Sequence, residues 1–219
     1  MRLGLTLPSD RVEEWVAIAR QADELGIWAV EVRGAAGTEA VRAASLIQAT
    51  RHVRIFVTVD LRAEHPVTLA EEIAVLDNLS GGRIGVVVEG AALGPLSVFV
   101  DALVGRVVNG MIVAPPPLQA EITVWADLAQ DPADISRGGA GSPGRAALTG
   151  DLAAGRTIID AWQAAGCTHL LVGWPGDARV LARHLVGRAA MIAFPELVAE
   201  LADGIAPFDG PAEVARRTP

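Results

Sequence analysis

Few side chains in this sequence combine a reactive type with a telling position, and Glu89 is foremost among them. It follows the apolar run Ile84-Gly-Val-Val-Val88, where a carboxylate would lose water, rise in pKa and become a proton donor or acceptor. An alternative is that Glu89 reaches solvent or pairs with Arg33 or Arg62. The other candidates are weaker. His65 precedes Pro66 at a helix start, a capping position, and His52, His169 and His184 stand apart from one another and from any second ligand type. One cysteine, Cys167, allows neither an intrachain disulfide nor a thiolate cluster, so no metal site is expected. The loop Arg137-Gly-Gly-Ala-Gly-Ser-Pro-Gly-Arg145 has the makings of an anion nest, and equally those of a flexible connector.

Alternating patterns must position these residues. Strand-like runs at Arg2–Leu7, Ile27–Val32, Val53–Val59 and Ile84–Val88 alternate with helical patterns at Val12–Leu25, Glu39–Ala49 and from Pro66 onward, which predicts parallel β-α units. In the first helix Val12, Trp15, Ala19 and Ala22 share a face, with Ser9 or Asp10 as the expected cap. In the third, Leu69, Ile73, Leu76 and Ser80 share one, while Glu71, Glu72 and Asn78 point away. Gly81 and Gly82 are suited to the positive φ that ends it. Further on, a helix is expected around Pro95–Val104, strands at Glu121–Ala126 and Thr168–Val172, and helices at Thr157–Ala165 and Val180–Leu201. Between Asp127 and Thr149 no strand is legible, and 127–149 reads as a compressed connector. Periodicity alone leaves a (β/α)8 barrel and a doubly wound sheet both open. The absence of a G-x-G-x-x-G after the first strand argues against a nucleotide-binding sheet.

Composition excludes other classes. A formal charge of −8 with 18 arginines scattered along the chain, nearly all singly, does not make a nucleic-acid groove. The longest apolar runs fall short of a membrane span. With 219 residues, 51% of them hydrophobic, one domain covering 1–219 is expected. The single cysteine and the lack of a leader pattern suggest a cytoplasmic protein.

His65-Pro66, Leu76-Asp77, Leu79-Ser80 and Gly81-Gly82-Arg83 together resemble the luciferase-like monooxygenase family in order and spacing. Ala22–Ile27 and the stretch from Gly150-Asp151 to Ala165-Gly166 agree. The resemblance implies an α/β TIM-type (β/α)8 barrel, here shortened or incomplete in its second half, since a complete barrel has about 250 residues. It implies an oxidoreductase that uses FMN or a deazaflavin coenzyme on a small organic substrate, and commonly a homodimer. The cofactor would lie at the strand C-terminal ends, against Thr58, Val59, Asp60, Glu89, Gly90 and Trp174, with Glu89 as the catalytic candidate. The strand-end positions to inspect are Pro8, Arg33, Asp60, Glu89, Asp127 and Trp174. The chain also departs from the family's pattern. Arg33-Gly34 stands where an acidic residue and a His are usual, Val87, Glu89 and Ala91 replace the glycines of G-x-G-x-G, and Phe56 occupies a position where glycine is common. These departures support the alternative of a non-catalytic relative, without cofactor, that acts as an oligomer partner or binds a hydrophobic small molecule.

Overall fold

The computed structural model describes residues 1–9, 12–34, 38–90, 92–126, 128–138, 142–147 and 152–173. Among the described residues there are seven strands: β1 (Arg2–Thr6), β2 (Ala29–Val32), β3 (Arg54–Val59), β4 (Ile84–Val88), β5 (Thr123–Ala126), β6 (Gly144–Ala146) and β7 (His169–Gly173). All pairings are parallel, in the order β5-β4-β3-β2-β1-β7-β6. Helices α1 (Trp15–Glu24), α2 (Glu39–Ala49), α3 (Pro66–Ser80), α4 (Leu93–Leu103), α5 (Pro132–Gly138) and α6 (Leu152–Ala164) complete the described elements. Parallel neighbours in unbroken sequence from β1 to β5 follow from the four successive β-α units, because each crossover helix returns the chain to the same end of the sheet.

The two faces of the sheet are chemically different. One set of alternate residues, among them Leu3, Leu5, Val30, Val32, Ile55, Val57, Ile84, Val86, Leu170 and Val172, packs beneath the helices in the main core. The opposite set faces inward across the curl, where Ala29, Phe56, Val87, Leu128 and Leu171 form a second buried cluster with Trp28 and Trp125. Phe56 stacks on Trp125 with ring centroids 4.3 Å apart, Trp28 lies 5.9 Å from Trp125, and His169 touches both indoles. These rings belong to β3, β5, the residue before β2 and the start of β7, so the cluster forms only when the sheet curls. The close approach of strands at Gly85 lets Phe56 in, since a Cβ there would meet the ring at 2.5 Å.

The curl brings the chain leaving β5 against β6. Ala129 bridges Gly144 in parallel, with Arg145 N–H donating to the Ala129 carbonyl at 2.9 Å and Ala129 N–H to the Pro143 carbonyl at 3.3 Å. One bridge therefore stands at the seam, where the other strand neighbours have ladders. The expected incompleteness of the second half is present in this form. The absence of a strand in 127–149 is corrected: β6 and α5 both fall there, and at three residues β6 is too short to carry a period-2 signal.

The residues of the family-like segment have structural work. His65 caps α3, its Nδ1 accepting from Val67 N–H at 3.3 Å, and Gly81 closes the helix at φ 69°. The Arg83 guanidinium donates to the carbonyls of Ile47, Thr50 and Val53 and to Thr50 Oγ1, and so caps the C-terminal end of α2. Asp77, fully buried, receives the Gln119 backbone N–H at 2.8 Å and its side-chain amide at 2.7 Å, fixing the segment that leads into β5. Asp23 accepts three backbone N–H groups, of Arg51, His52 and Val53, at the entry to β3. The first helix does not start as expected. A 3-10 turn at Val12–Glu14 precedes α1, whose N-cap is Glu14 with no side-chain capping bond.

Candidate functional site

Thr6, Glu31 and Thr58 sit on the inward face of β1, β2 and β3, one step above the apolar cluster and toward the strand C-terminal ends. Glu31 is fully buried. An isolated carboxylate in that position would be severely destabilising, and here three donors converge on it. Thr6 Oγ1 donates to Oε2 at 2.5 Å, Thr58 Oγ1 to Oε1 at 2.7 Å, and Arg145 Nη2 forms an ion pair with Oε1. Arg145 reaches Glu31 because Gly144 and Ala146 on β6 turn outward, where a Cβ at Gly144 would strike Trp162 at 2.2 Å. Alternation then sends Arg145 across the interior.

The same guanidinium holds Glu89. Its Nη1 donates to Glu89 Oε1 at 2.6 Å, while Arg33 Nη2 donates to Oε1 at 3.1 Å and Oε2 at 3.2 Å. The result is a row of alternating charge, Glu31, Arg145, Glu89 and Arg33, drawn from β2, β6, the end of β4 and the end of β2. Exposure rises along it, with side chains at 0% for Glu31, 12% for Arg145, 37% for Glu89 and 41% for Arg33. Beside it a second pair, Asp60 and Arg62, lies at the end of β3, with Arg62 Nη2 2.7 Å from Asp60 Oδ2.

Protonation follows from these contacts. Burial alone would raise the Glu89 pKa, but hydrogen bonds and charge from Arg145 and Arg33 outweigh it and hold the carboxyl below its usual range. The expectation of a raised pKa at Glu89 is therefore overturned. Desolvation at the end of an apolar strand is real, but two guanidinium groups compensate for it. Burial likewise depresses Arg145, and its bonds to Glu31 and Glu89 more than reverse that, raising it. Hydrogen bonds from Arg62 lower Asp60 to about 2. Both mouth carboxylates with shifted values are anions at neutral pH.

Of the residues expected to contact a cofactor, Thr58, Asp60, Glu89 and Gly90 meet at the strand ends. Thr58 serves Glu31, Val59 is buried in the outer core beneath the helices, and Gly90 presents φ 62° with the Arg62 guanidinium over it. Asp127 and Trp174 lie outside the described residues, as do Ala91, Gly150, Asp151 and 180–201. Part of the 137–145 loop, residues 139–141, does too. Its last residue, Arg145, points at two carboxylates. Among the described residues no group of His, Cys, Asp or Glu is placed to hold a metal ion, and no helix is long and apolar enough to cross a membrane. Sequence reasoning missed Thr6, Glu31 and Arg145. The available signal was Glu31 itself, a charge inside the apolar strand Ala-Val-Glu-Val, which demands a buried partner.

Two features of the mouth bear on whether a flavin or deazaflavin ring fits. The cradle at β4 is filled: Val87 is buried, and a Cβ on Gly90 would lie 3.2 Å from Arg62, so no ring enters the interior there. Above that layer Arg33 and Glu89 are half-exposed and offer donors and an acceptor, chemistry that fits the polar edge of such a ring. The fit is at the rim.

Comparison with known proteins agrees with this architecture. The family model described as luciferase-like monooxygenase matches residues 2–93. No curated protein matches the sequence. Among solved structures, the coenzyme F420-dependent tetrahydromethanopterin reductase of Methanopyrus kandleri is similar with TM-score 0.60 and 12% identity, over 88% of this chain and 99% of that one. The monooxygenase RslO1 of Streptomyces bottropensis gives TM-score 0.53 and 20% identity over 93% and 80%. The oxygenating constituent of Pseudomonas putida 3,6-diketocamphane monooxygenase, solved with FMN, gives 0.53 and 13% over 97% and 82%. At these identities the structural likeness shows the fold. Over residues 2–93 the chain is similar to the luciferase-like monooxygenase family, and its parallel, curled sheet shares the fold of these solved structures.

Proposed function

We propose that this protein is an oxidoreductase of the luciferase-like class that receives FMN or a deazaflavin coenzyme on the rim of the strand-end layer and acts on a small organic substrate. The observation that carries this reading is the half-exposed Arg33–Glu89 pair, seated on a buried charged layer at the C-terminal ends of parallel strands, where barrel enzymes do their chemistry. A bound flavin or deazaflavin supplies hydride transfer or oxygen chemistry. The chain's own residues hold and orient. Arg145 and Glu31 fix the floor, Thr6 and Thr58 lock Glu31, and Glu89, an anion, accepts a hydrogen bond or a proton and does not begin as the donor.

Titration of the purified protein with FMN and with the deazaflavin coenzyme, followed by absorbance and fluorescence in both oxidation states, tests the proposal. Saturable micromolar binding of either supports it, and absence of binding to both removes it. The second reading, a relative that kept the scaffold and lost the cofactor, is favoured by the buried Val87 and by Arg62 over Gly90. Such a protein would serve as an oligomer partner or bind a hydrophobic small molecule. In either reading we expect a cytoplasmic homodimer, which light scattering at micromolar concentration tests.

A further inference from the structure

The N-terminal ends of the strands, opposite the mouth, carry a different chemistry. Arg2, at the start of β1, shares the inward face with Gly4 and Thr6, and Arg54, at the start of β3, shares it with Phe56 and Thr58. Trp28 sits between them: its N–H donates to the Leu3 carbonyl at 3.2 Å, and its own carbonyl accepts the Arg54 N–H at 3.0 Å. Two strand spacings, about 10 Å, separate the arginines, a span that two long side chains close on one small ligand. The Arg2 guanidinium lies 5.7 Å from the centre of the Trp28 ring. Against Trp28 stand His169 at 4.7 Å and Trp125 at 5.9 Å, and His169 lies 5.3 Å from Trp125. The three rings are inclined to one another by 33°, 45° and 49°, so they surround a common point instead of stacking, and each is half-buried.

Donors and ring faces are what this end offers. Among the described residues neither Arg2 nor Arg54 has an ion-pair partner. Arg54 gives Nη2 to Gln119 Oε1 at 2.8 Å, and its Nε is buried with no acceptor. A buried donor left in that state costs free energy that an incoming acceptor recovers. Burial, with the charge of Arg2 added to it, holds the His169 pKa below its ordinary value, so at neutral pH His169 presents a ring without charge. A cation here would be repelled by two guanidinium groups, and a neutral ring would leave both unpaired. An inorganic anion would pair with them and leave the rings bare. A flat organic anion satisfies both.

We infer that the N-terminal end of the sheet is a second binding site, for a small aromatic carboxylate whose oxygens accept from Arg2 and Arg54 while its ring lies on Trp28, Trp125 and His169. The planar fork of a guanidinium matches a carboxylate in the plane of its ring. Arg2 and Thr6 stand at opposite ends of β1, about 13 Å apart along the strand. The site is therefore separate from the mouth, and it does not depend on whether a flavin-type ring binds there.

The test titrates the full chain with 2-naphthoate by calorimetry, at low ionic strength and neutral pH, beside 2-naphthamide, cyclohexanecarboxylate and inorganic phosphate. Naphthoate should bind saturably with a dissociation constant of about 0.1 mM, as a ligand of that size can. The amide, which lacks the charge, and the cyclohexane acid, which lacks the flat ring, should each bind at least about tenfold more weakly. Arg2→Gln, at an exposed position, should fold normally and lose about tenfold in naphthoate affinity. Arg54→Gln should do the same, with thermal unfolding to show that the fold survives the lost Gln119 contact. Arg33→Met, at the opposite mouth, should bind naphthoate like the wild type. No binding at millimolar naphthoate overturns the inference. So does equal affinity for acid and amide, phosphate binding as tight as naphthoate, or a folded Arg2→Gln with wild-type affinity. Loss of affinity in Arg33→Met would place the anion at the mouth and overturns it too. None of these outcomes touches the flavin reading, which the cofactor titration decides by itself.

Discussion

Arg145→Met places the sharpest demand on this structure. The substitution removes the counter-charge of a carboxylate with 0% exposure and leaves Glu31 with the hydroxyls of Thr6 and Thr58 alone. Breaking a buried pair at one end costs about 3–5 kcal/mol, and the two remaining hydrogen bonds place this case near about 3. Glu89 adds little to that figure, because it is more than one-third exposed and keeps Arg33. With a urea dependence of about 2 kcal/mol per molar, the unfolding midpoint should fall by about 1.5 M. Removing both charges in Glu31→Gln/Arg145→Met should recover most of the loss, to within about 1 kcal/mol of wild type, since the burden comes from one charge left alone in the interior. Urea unfolding at neutral pH, followed by tryptophan fluorescence, measures all three proteins. A single variant within about 0.5 kcal/mol of wild type, or a double variant no better than the single, would refute the claim that Glu31 and Arg145 are a mutually dependent buried pair.

Gly85→Ala should destabilise the fold by about 1–3 kcal/mol, because the new methyl lies 2.5 Å from the Phe56 ring and that ring is stacked on Trp125; thermal unfolding would show it. Arg83→Met should cost about 2 kcal/mol, by losing the carbonyl contacts that cap α2, with hydrogen exchange quickening at Ile47–Val53. Asp60 and Glu89 both have depressed pKa values, so the stability they lend is fully present above the unfolded carboxylate value of about 4 and is lost as pH falls through the folded values, for Asp60 at about 2. Asp60→Asn should flatten the acid limb of stability below about pH 4, and carboxyl chemical shifts in an NMR titration would place each group.

The first half of the fold could be read from the sequence because each element there is local and strongly patterned. Leu69, Ile73, Leu76 and Ser80 are all buried on α3, as their spacing predicts. The second half resisted because its decisive facts are long-range. β6 is three residues long, and what defines it is pairing with β7 and with Ala129. The site split in the same way. The position of Glu89 and its pairing with Arg33 were legible from strand ends. Arg145, separated from Glu89 by 56 residues and from Glu31 by 114, sits in a Gly-rich stretch whose composition suits a connector or an anion nest equally well. The direction of the Glu89 pKa was misjudged for that reason, since desolvation is visible in a strand pattern and the compensating cation was not.

The inward ring cluster gives the molecule an optical signature. Two indoles, Trp28 and Trp125, lie 5.9 Å apart and inclined by 33°, while Trp15 and Trp162 lie on the outer face in the main core. Electronic transitions of two chromophores that close are not independent; they mix, and the mixing depends on separation and angle. The far-ultraviolet dichroism of the folded protein should therefore carry a paired band from Trp28 and Trp125, which Trp28→Phe would remove. Because the two residues stand on opposite sides of the curl, that band is a gauge of the sheet's curvature, readable in solution without any label.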